Sequence, residues 1–361
     1  MSVCDKNLIV PFGLLTFIIC GMGFSSSVSA QHPAQGEQPN HPLAQAQTIL
    51  IEGVALTERG LQDPRTILQS VTEQLRNAGW SVVSKPDLPH DAVVRVKCEE
   101  RQTWTGPSKH RRTGSTPTTR LWKGPACHLS YRFNHQTPNW SWEVRTSFED
   151  TREAAKAAGA TDIGTFALNS LNTQLQQDEF PLFLAAEWRQ TERLLSIYRQ
   201  SSDQIEQQLT ILHLLGGLPS EQALTTLEEA LSRPALAPTA LLALGQQGEA
   251  GIPALVSCLQ TSHDSDQQLA AIQGLGTIAT QNKNPVLFTQ FMALLESEDP
   301  RIQTEAVKGL GNLGDRRAVQ PLEQLNLKAW TNSSTSPDMK ALRDMLSWSL
   351  WELNPTAHTG G

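Results

Sequence analysis

The sequence predicts two parts of different fold class, an α+β domain with an antiparallel sheet and helices, followed by an all-α solenoid. Gly274-Leu275-Gly276 recurs 35 residues later as Gly309-Leu310-Gly311, each time at the end of an apolar helical run. Looser copies end at Gly216 and Gly245. Helical units of about 30–40 residues in tandem are typical of solenoids. Before residue 146, three segments instead alternate apolar and polar residues, which is typical of strands.

The first 30 residues have the features of a secretory signal peptide. Lys6 precedes an apolar stretch, and Val28-Ser29-Ala30 places small residues before a cleavage point at Gln31. We therefore expect an exported protein, periplasmic or secreted, with no transmembrane domain in the mature chain. If the segment were not cleaved, it would anchor the protein in the inner membrane. Residues 31–47 are polar and rich in proline and glutamine, which predicts a disordered linker.

Residues 48–200 are predicted to form the α+β domain. Residues 48–56 are a strand, and a helix follows from the capping pair Asp63-Pro64 to Gly79. Three alternating segments then predict strands with one buried face. The residues assigned to that face are Val94, Val96 and Cys98; Cys127, Leu129, Tyr131 and Phe133; and Trp140, Trp142 and Val144. Beyond Glu149 the apolar spacing becomes helical, and these helices should cover the sheet.

Two cysteines suggest how the strands pair. If Cys98 lies opposite Cys127, Val96 faces Leu129 and Val94 faces Tyr131, so every pair is apolar. Directly opposed residues lie within disulfide range. Because an exported chain meets an oxidising compartment, we predict a disulfide between Cys98 and Cys127. The alternative is two buried free cysteines.

The segment between these cysteines is the most suggestive surface of the domain. No Asp or Glu occurs from Arg101 to Trp142, although the chain has a net charge of −7. A basic hairpin loop at 105–123 could bind an anionic envelope component. The alternative is a solvated hairpin whose basic residues discourage edge pairing. Overall acidity and the export signal argue against nucleic acid. The candidate anion- or partner-binding residues are Trp104, Lys109, Arg111, Arg112, Arg120, Trp122 and Lys123.

Residues 201–355 are predicted to form antiparallel helix pairs, and 356–361 a tail. Asn284-Pro285, Asp299-Pro300 and Ser336-Pro337 mark three helix starts. The run from Asp299 to Leu322 resembles HEAT repeats of the phycobilisome-lyase type, and the copy from Asp264 to Ala279 is similar. The resemblance implies a curved superhelix that binds a protein partner, in a family whose members are mostly not enzymes. It implies no bilin chemistry.

The glycines of the repeats imitate a cofactor motif. Gly309-x-Gly311-x-x-Gly314 matches the dinucleotide-binding fingerprint. That fingerprint must follow a strand and open a helix, whereas these glycines close a helix. We expect Gly309 and Gly311 to let a neighbouring helix backbone approach, and Gly314 to end the helix in the left-handed conformation.

Other signatures of catalysis are missing from the sequence. There is no His-Glu-x-x-His or Cys-x-x-Cys spacing for a metal, and no Gly-x-Ser-x-Gly turn for a nucleophile. The sequence therefore predicts no metal, no cofactor and no enzymatic activity. It favours a non-enzymatic scaffold for protein–protein interaction, with the basic hairpin as the alternative binding site.

Overall fold

The computed structural model describes residues 41–100, 104–108, 119–332 and 334–354, with backbone only from 104 to 122. All of these residues belong to one compact unit. The described strands and helices of the first part are β1 Thr48–Thr57, β2 Gly60–Gln62, α1 Arg65–Asn77, β3 Ser81–Val83, β4 Ala92–Glu99, β5 Trp104–Ser108, β6 Thr119–Trp122, β7 Ala126–Arg132, β8 Ser141–Arg145, α2 Thr151–Ala157, α3 Ile163–Gln177 and α4 Phe180–Glu187. The α+β class predicted for this part is confirmed.

The sheet is mixed and not purely antiparallel as expected. Its strand order is β2-β1-β4-β7-β8, with β3 also beside β1. β1 runs parallel to both β3 and β4, while β2, β7 and β8 pair antiparallel with their neighbours. The reason is α1, which returns the chain to the starting edge of the sheet, and such a crossover brings strands together in parallel.

The predicted register between β4 and β7 is confirmed. Val94 lies opposite Tyr131, Val96 opposite Leu129, and Cys98 opposite Cys127. These side chains are all buried, and the two cysteines form a disulfide. Helices α1 and α3 pack together against the sheet. The buried face therefore selects this register, because a shift of one residue would expose the apolar set.

The second part is a run of paired helices. Its helices are α5 Thr191–Gln200, α6 Ile205–Gly216, α7 Glu221–Ala230, α8 Ala237–Gln246, α9 Ile252–Thr261, α10 Ser265–Gln281, α11 Pro285–Leu294, α12 Pro300–Leu313, α13 Val319–Thr331 and α14 Pro337–Leu353. The three predicted starts are confirmed, because the side chains of Asn284, Asp299 and Ser336 each accept a bond from a first-turn backbone N–H. The solenoid class is likewise confirmed.

Buried polar groups join the two parts. The Gln190 amide donates to the carbonyl oxygens of Leu43 and Ala46 at 2.8 and 2.9 Å. The Arg193 guanidinium donates to the Ala78 carbonyl at 3.0 Å and lies 4.2 Å over the ring of Trp80. Burial lowers the pKa of Arg193 to about 10. These contacts hold α5, the first helix of the array, against the sheet domain.

Candidate binding surface

The helices of the array lie in two layers. The inner layer is α6, α8, α10, α12 and α14, each packed extensively on the next. The outer layer is α7, α9, α11 and α13, each packed on the inner helix that follows it. Successive outer helices make few or no contacts with one another within the described residues. The helices of the inner layer therefore pack more closely on one another than those of the outer layer do.

Glycines allow the inner helices to pack closely. The closest contact between two helix backbones is at Gly245, however, and not at Gly309 or Gly311 as the sequence predicted. A Cβ on Gly245 would lie 2.5 Å from the Cα of Gly274, so the backbones of α8 and α10 touch. Gly309 instead makes room for the Phe291 ring of α11. A Cβ on Gly311 would meet the side chains of Ser349 and Trp348 at 2.8 and 2.9 Å. The expectation of backbone contact at Gly309 and Gly311 is therefore wrong, because larger side chains fill the space there.

Each inner helix leaves one side exposed to solvent, and together these sides form the inner surface. Its apolar members are Leu242, Trp348 and Trp351, which are 39%, 39% and 51% exposed. Trp348 also contacts α12 at Gly311, so one part of its indole ring packs against the neighbouring helix. The remaining members are polar: His213, Gln273, Thr277, Glu305, Lys308, Asn312 and Asp344.

The polar groups of the inner surface bond weakly to one another. The Gln273 amide donates to Glu305 Oε1 at 3.2 Å, and Lys308 Nζ lies 3.6 Å from Glu305 Oε2. The Asn312 amide donates to the Gly276 carbonyl at 3.5 Å. Exposed ion pairs of this kind contribute little to stability. A partner could therefore replace these contacts at little cost.

The array is strongly acidic. Between residues 203 and 352 there are 17 acidic and 9 basic residues, so this part accounts for the negative charge of the whole chain. Complementary charge raises association rates and selects partners. The inner surface itself carries both signs, with Glu305, Lys308 and Asp344 among its members.

The predicted anion-binding residues are only partly described. β5 and β6 form an antiparallel two-stranded sheet in which Trp104 lies opposite Trp122, and Arg120 belongs to β6. Lys109, Arg111 and Arg112 lie outside the described residues. Lys123 is exposed and lines a cavity of about 320 Å³ with Arg152 and mainly acidic residues. Those acidic residues are Glu58, Glu100, Glu149 and Asp150. The structure thus places Lys123 beside carboxylates.

The fingerprint-like glycines have a structural role in the array. Gly309 and Gly311 lie within α12, and Gly314 caps its end with φ of 67°. Within the described part of the chain, no group of three or more His, Cys, Asp or Glu side chains could hold a metal ion. No helix described here is long and apolar enough to cross a membrane.

Comparison with known proteins identifies the array. The family model of HEAT repeats matches residues 191–276 and 252–331, which span α5 to α13. A crystal structure of an engineered protein is 17% identical and covers 58% of this chain and 98% of that chain. Its TM-score is 0.36, too low to support any argument. No curated protein matches the chain. The region 191–331 of this chain therefore consists of HEAT repeats.

The residues of the inner surface do not stand out in the sequence. Leu242 lies in the apolar run of α8, between buried Leu241 and Ala243. Its sequence context is therefore the same as that of a core residue. Trp348 and Trp351 stand three residues apart in a repeat where small residues are usual. That spacing was the available signal, because residues three apart share one helix face.

Proposed function

We propose that this protein is an exported, non-enzymatic scaffold whose inner surface binds a protein partner. The observation that carries the proposal is the inner layer of stacked helices, whose last helix, α14, presents two exposed tryptophans beside a polar surface. HEAT repeats commonly mediate protein interactions, and extended concave surfaces are how solenoids bind. The array is held to the sheet domain by buried hydrogen bonds, so the surface is formed before a partner arrives.

The apolar residues supply the expected centre of binding. Exposed tryptophan is enriched among the residues that dominate binding energy at interfaces. Trp348 rests on Gly311, so little side-chain entropy should be lost when a partner covers it. Charged residues on the same surface, such as Lys308 and Asp344, would form a polar rim that sets the orientation of the bound partner.

A comparison of two double variants tests the proposal. We expect Trp348→Ala with Trp351→Ala to reduce capture of the partner from an envelope fraction at least tenfold, since loss of a hot-spot residue costs about 2 kcal/mol or more. The matched control is Leu327→Ala with Trp330→Ala, because these residues are 70% and 63% exposed on the outer helix α13. Equal capture by both variants would reject the inner surface as the binding site.

Export is the second component of the proposal and is tested separately. It is supported by the charged, apolar and small-residue order of residues 1–30. Mass spectrometry of the protein from fractionated cells should find Gln31 at the amino terminus in the periplasm or medium. An intact chain in the inner membrane would indicate a retained anchor, and an intact chain in the cytosol would reject export.

Anion binding by the basic hairpin is a second candidate function. It is favoured by the antiparallel pairing of β5 with β6, in which Trp104 is the partner of Trp122. Reversing Lys109, Arg111 and Arg112 to glutamate should then abolish binding to vesicles containing anionic lipid at low salt. The result against this function is binding that is unchanged by the reversal or insensitive to salt.

A further inference from the structure

The two edges of the six-stranded sheet differ in length. One edge is formed by β2 and β3, which both pair with β1 and have three residues each. The opposite edge is β8, which has five residues and pairs only with β7 among the described strands. An edge strand presents a row of backbone N–H and C=O groups with which another strand can pair. Within the described part of the sheet, β8 is therefore the edge with most room for an added strand.

One backbone hydrogen bond shows which groups of β8 point outwards. The Thr146 N–H donates to the Pro125 carbonyl at 3.4 Å, just after β8 and just before β7. Such bonds alternate along an antiparallel pair, and the register of β8 with β7 is regular. The even-numbered residues of β8 therefore bond to β7, and the odd-numbered residues direct their backbone groups away from it. Within the described residues, no other segment forms a backbone hydrogen bond with Ser141 or Glu143.

Two of these odd-numbered residues carry opposite charges. Glu143 and Arg145 lie on the polar face of the sheet, and the Arg145 guanidinium donates to both carboxylate oxygens of Glu143 at 2.8 and 2.9 Å. Charged side chains on an edge strand commonly keep a second strand away. A glutamate and an arginine two residues apart have the opposite effect on an antiparallel copy of the same strand, because each can lie opposite its complement.

We propose that β8 pairs with β8 of a second copy of this chain, antiparallel and with a two-fold axis at Val144. Glu143 of each copy then lies opposite Arg145 of the other, and the outward backbone groups of these residues bond to each other. An axis at Glu143 or at Arg145 would place like charges opposite each other, which is destabilising. An axis at Trp142 would bring neither charge opposite its complement. A shift by an odd number of residues would place the polar face of one copy beside the apolar face of the other.

Sedimentation velocity of the purified protein at increasing concentration tests this pairing. We expect a reversible equilibrium between monomer and dimer. Glu143→Arg and Arg145→Glu should each raise the dissociation constant of the dimer about tenfold or more, because each places two like-charge pairs across the axis. Circular dichroism of each variant checks that the protein remains folded.

A mixture of the two single variants distinguishes a lost contact from a folding defect. In a mixed dimer the two arginines of the Glu143→Arg chain lie opposite the two glutamates of the Arg145→Glu chain. The mixture should therefore dimerise although neither variant does so alone. The double variant Glu143→Arg with Arg145→Glu should also dimerise, since it keeps both charge pairs with exchanged signs.

Three results would overturn the proposal. The first is an unchanged protein that stays monomeric at every concentration. The second is a dimer that persists unchanged in both single variants, because the contact would then lie elsewhere on the molecule. The third is a mixture and a double variant that both stay monomeric, because the charge pairs across the axis would then not hold the dimer.

Discussion

The contact between Gly245 and Gly274 provides a sharp test of how the inner layer is held together. We expect Gly245→Ala to destabilise the protein and Gly276→Ala to stabilise it. Both glycines lie on inner helices, but a Cβ on Gly245 would lie 2.5 Å from the Gly274 Cα and 2.6 Å from its carbonyl oxygen. A Cβ on Gly276 would find nothing within 4 Å.

The expected magnitudes follow from these distances. Carbon atoms pack best at about 3.5–4.0 Å, so the methyl group at 245 must push α8 and α10 apart by roughly 1 Å. Overpacking of this kind typically costs about 1–3 kcal/mol. The higher helix propensity of alanine offsets up to about 1 kcal/mol of that cost. At position 276 the same propensity acts without the clash, which should stabilise the protein by about 0.5–1 kcal/mol.

Urea unfolding followed by circular dichroism measures both changes. The midpoint should fall for Gly245→Ala and rise for Gly276→Ala, with similar slopes for both variants. The two changes have the same chemistry and the same helical setting, so their difference reports the contact with Gly274. If Gly245→Ala is as stable as Gly276→Ala, the backbones of α8 and α10 are not in contact, and the reasoning is refuted.

Three further predictions concern the sheet domain and one helix end. Cys98→Ala with Cys127→Ala should lower the free energy of unfolding by about 3.5 kcal/mol, because the bridge closes a loop of about 30 residues; an unchanged urea midpoint would contradict this. Burial lowers the pKa of His41, whose Nδ1 accepts from the Leu43 N–H. The resulting stability is present above about pH 6.5 and is lost as pH falls through the lower folded pKa. The melting temperature should therefore fall less between pH 7 and 5 in His41→Asn than in the unchanged protein. An equal fall in both proteins would contradict this prediction. Gly314→Ala should cost about 1–2 kcal/mol because φ is 67°, and a neutral effect on urea unfolding would disprove the cap.

In the sheet domain, the alternation of apolar and polar residues predicted the strand register but not the strand directions. The apolar alternation of Val94, Val96 and Cys98 was enough to predict the register with β7, because that register buries every apolar partner. It was not enough to predict a mixed sheet. The direction of β1 depends on where α1 returns the chain, and alternation within a strand carries no information about its neighbour's direction.

In the repeat array, the sequence predicted where some helices begin but not which residues meet between helices. Capping pairs such as Asp299-Pro300 signalled where helices begin, because the cap acts within a few residues of chain. The sequence also marked glycine as the residue of close approach. It did not reveal that Gly245 meets Gly274 backbone to backbone while Gly309 meets the Phe291 ring. Those contacts depend on the rotation of each helix against its neighbours.

The sequence by itself determined the two fold classes, three helix starts of the array, the register of β4 with β7 and the acidity of the repeats. These properties come from local spacing and composition. Only the tertiary structure decided which helices form the inner layer and that Leu242 and Trp348 are exposed on it. Packing decides such matters because it joins residues that are distant along the chain, and the side of a helix left to solvent depends on its neighbours.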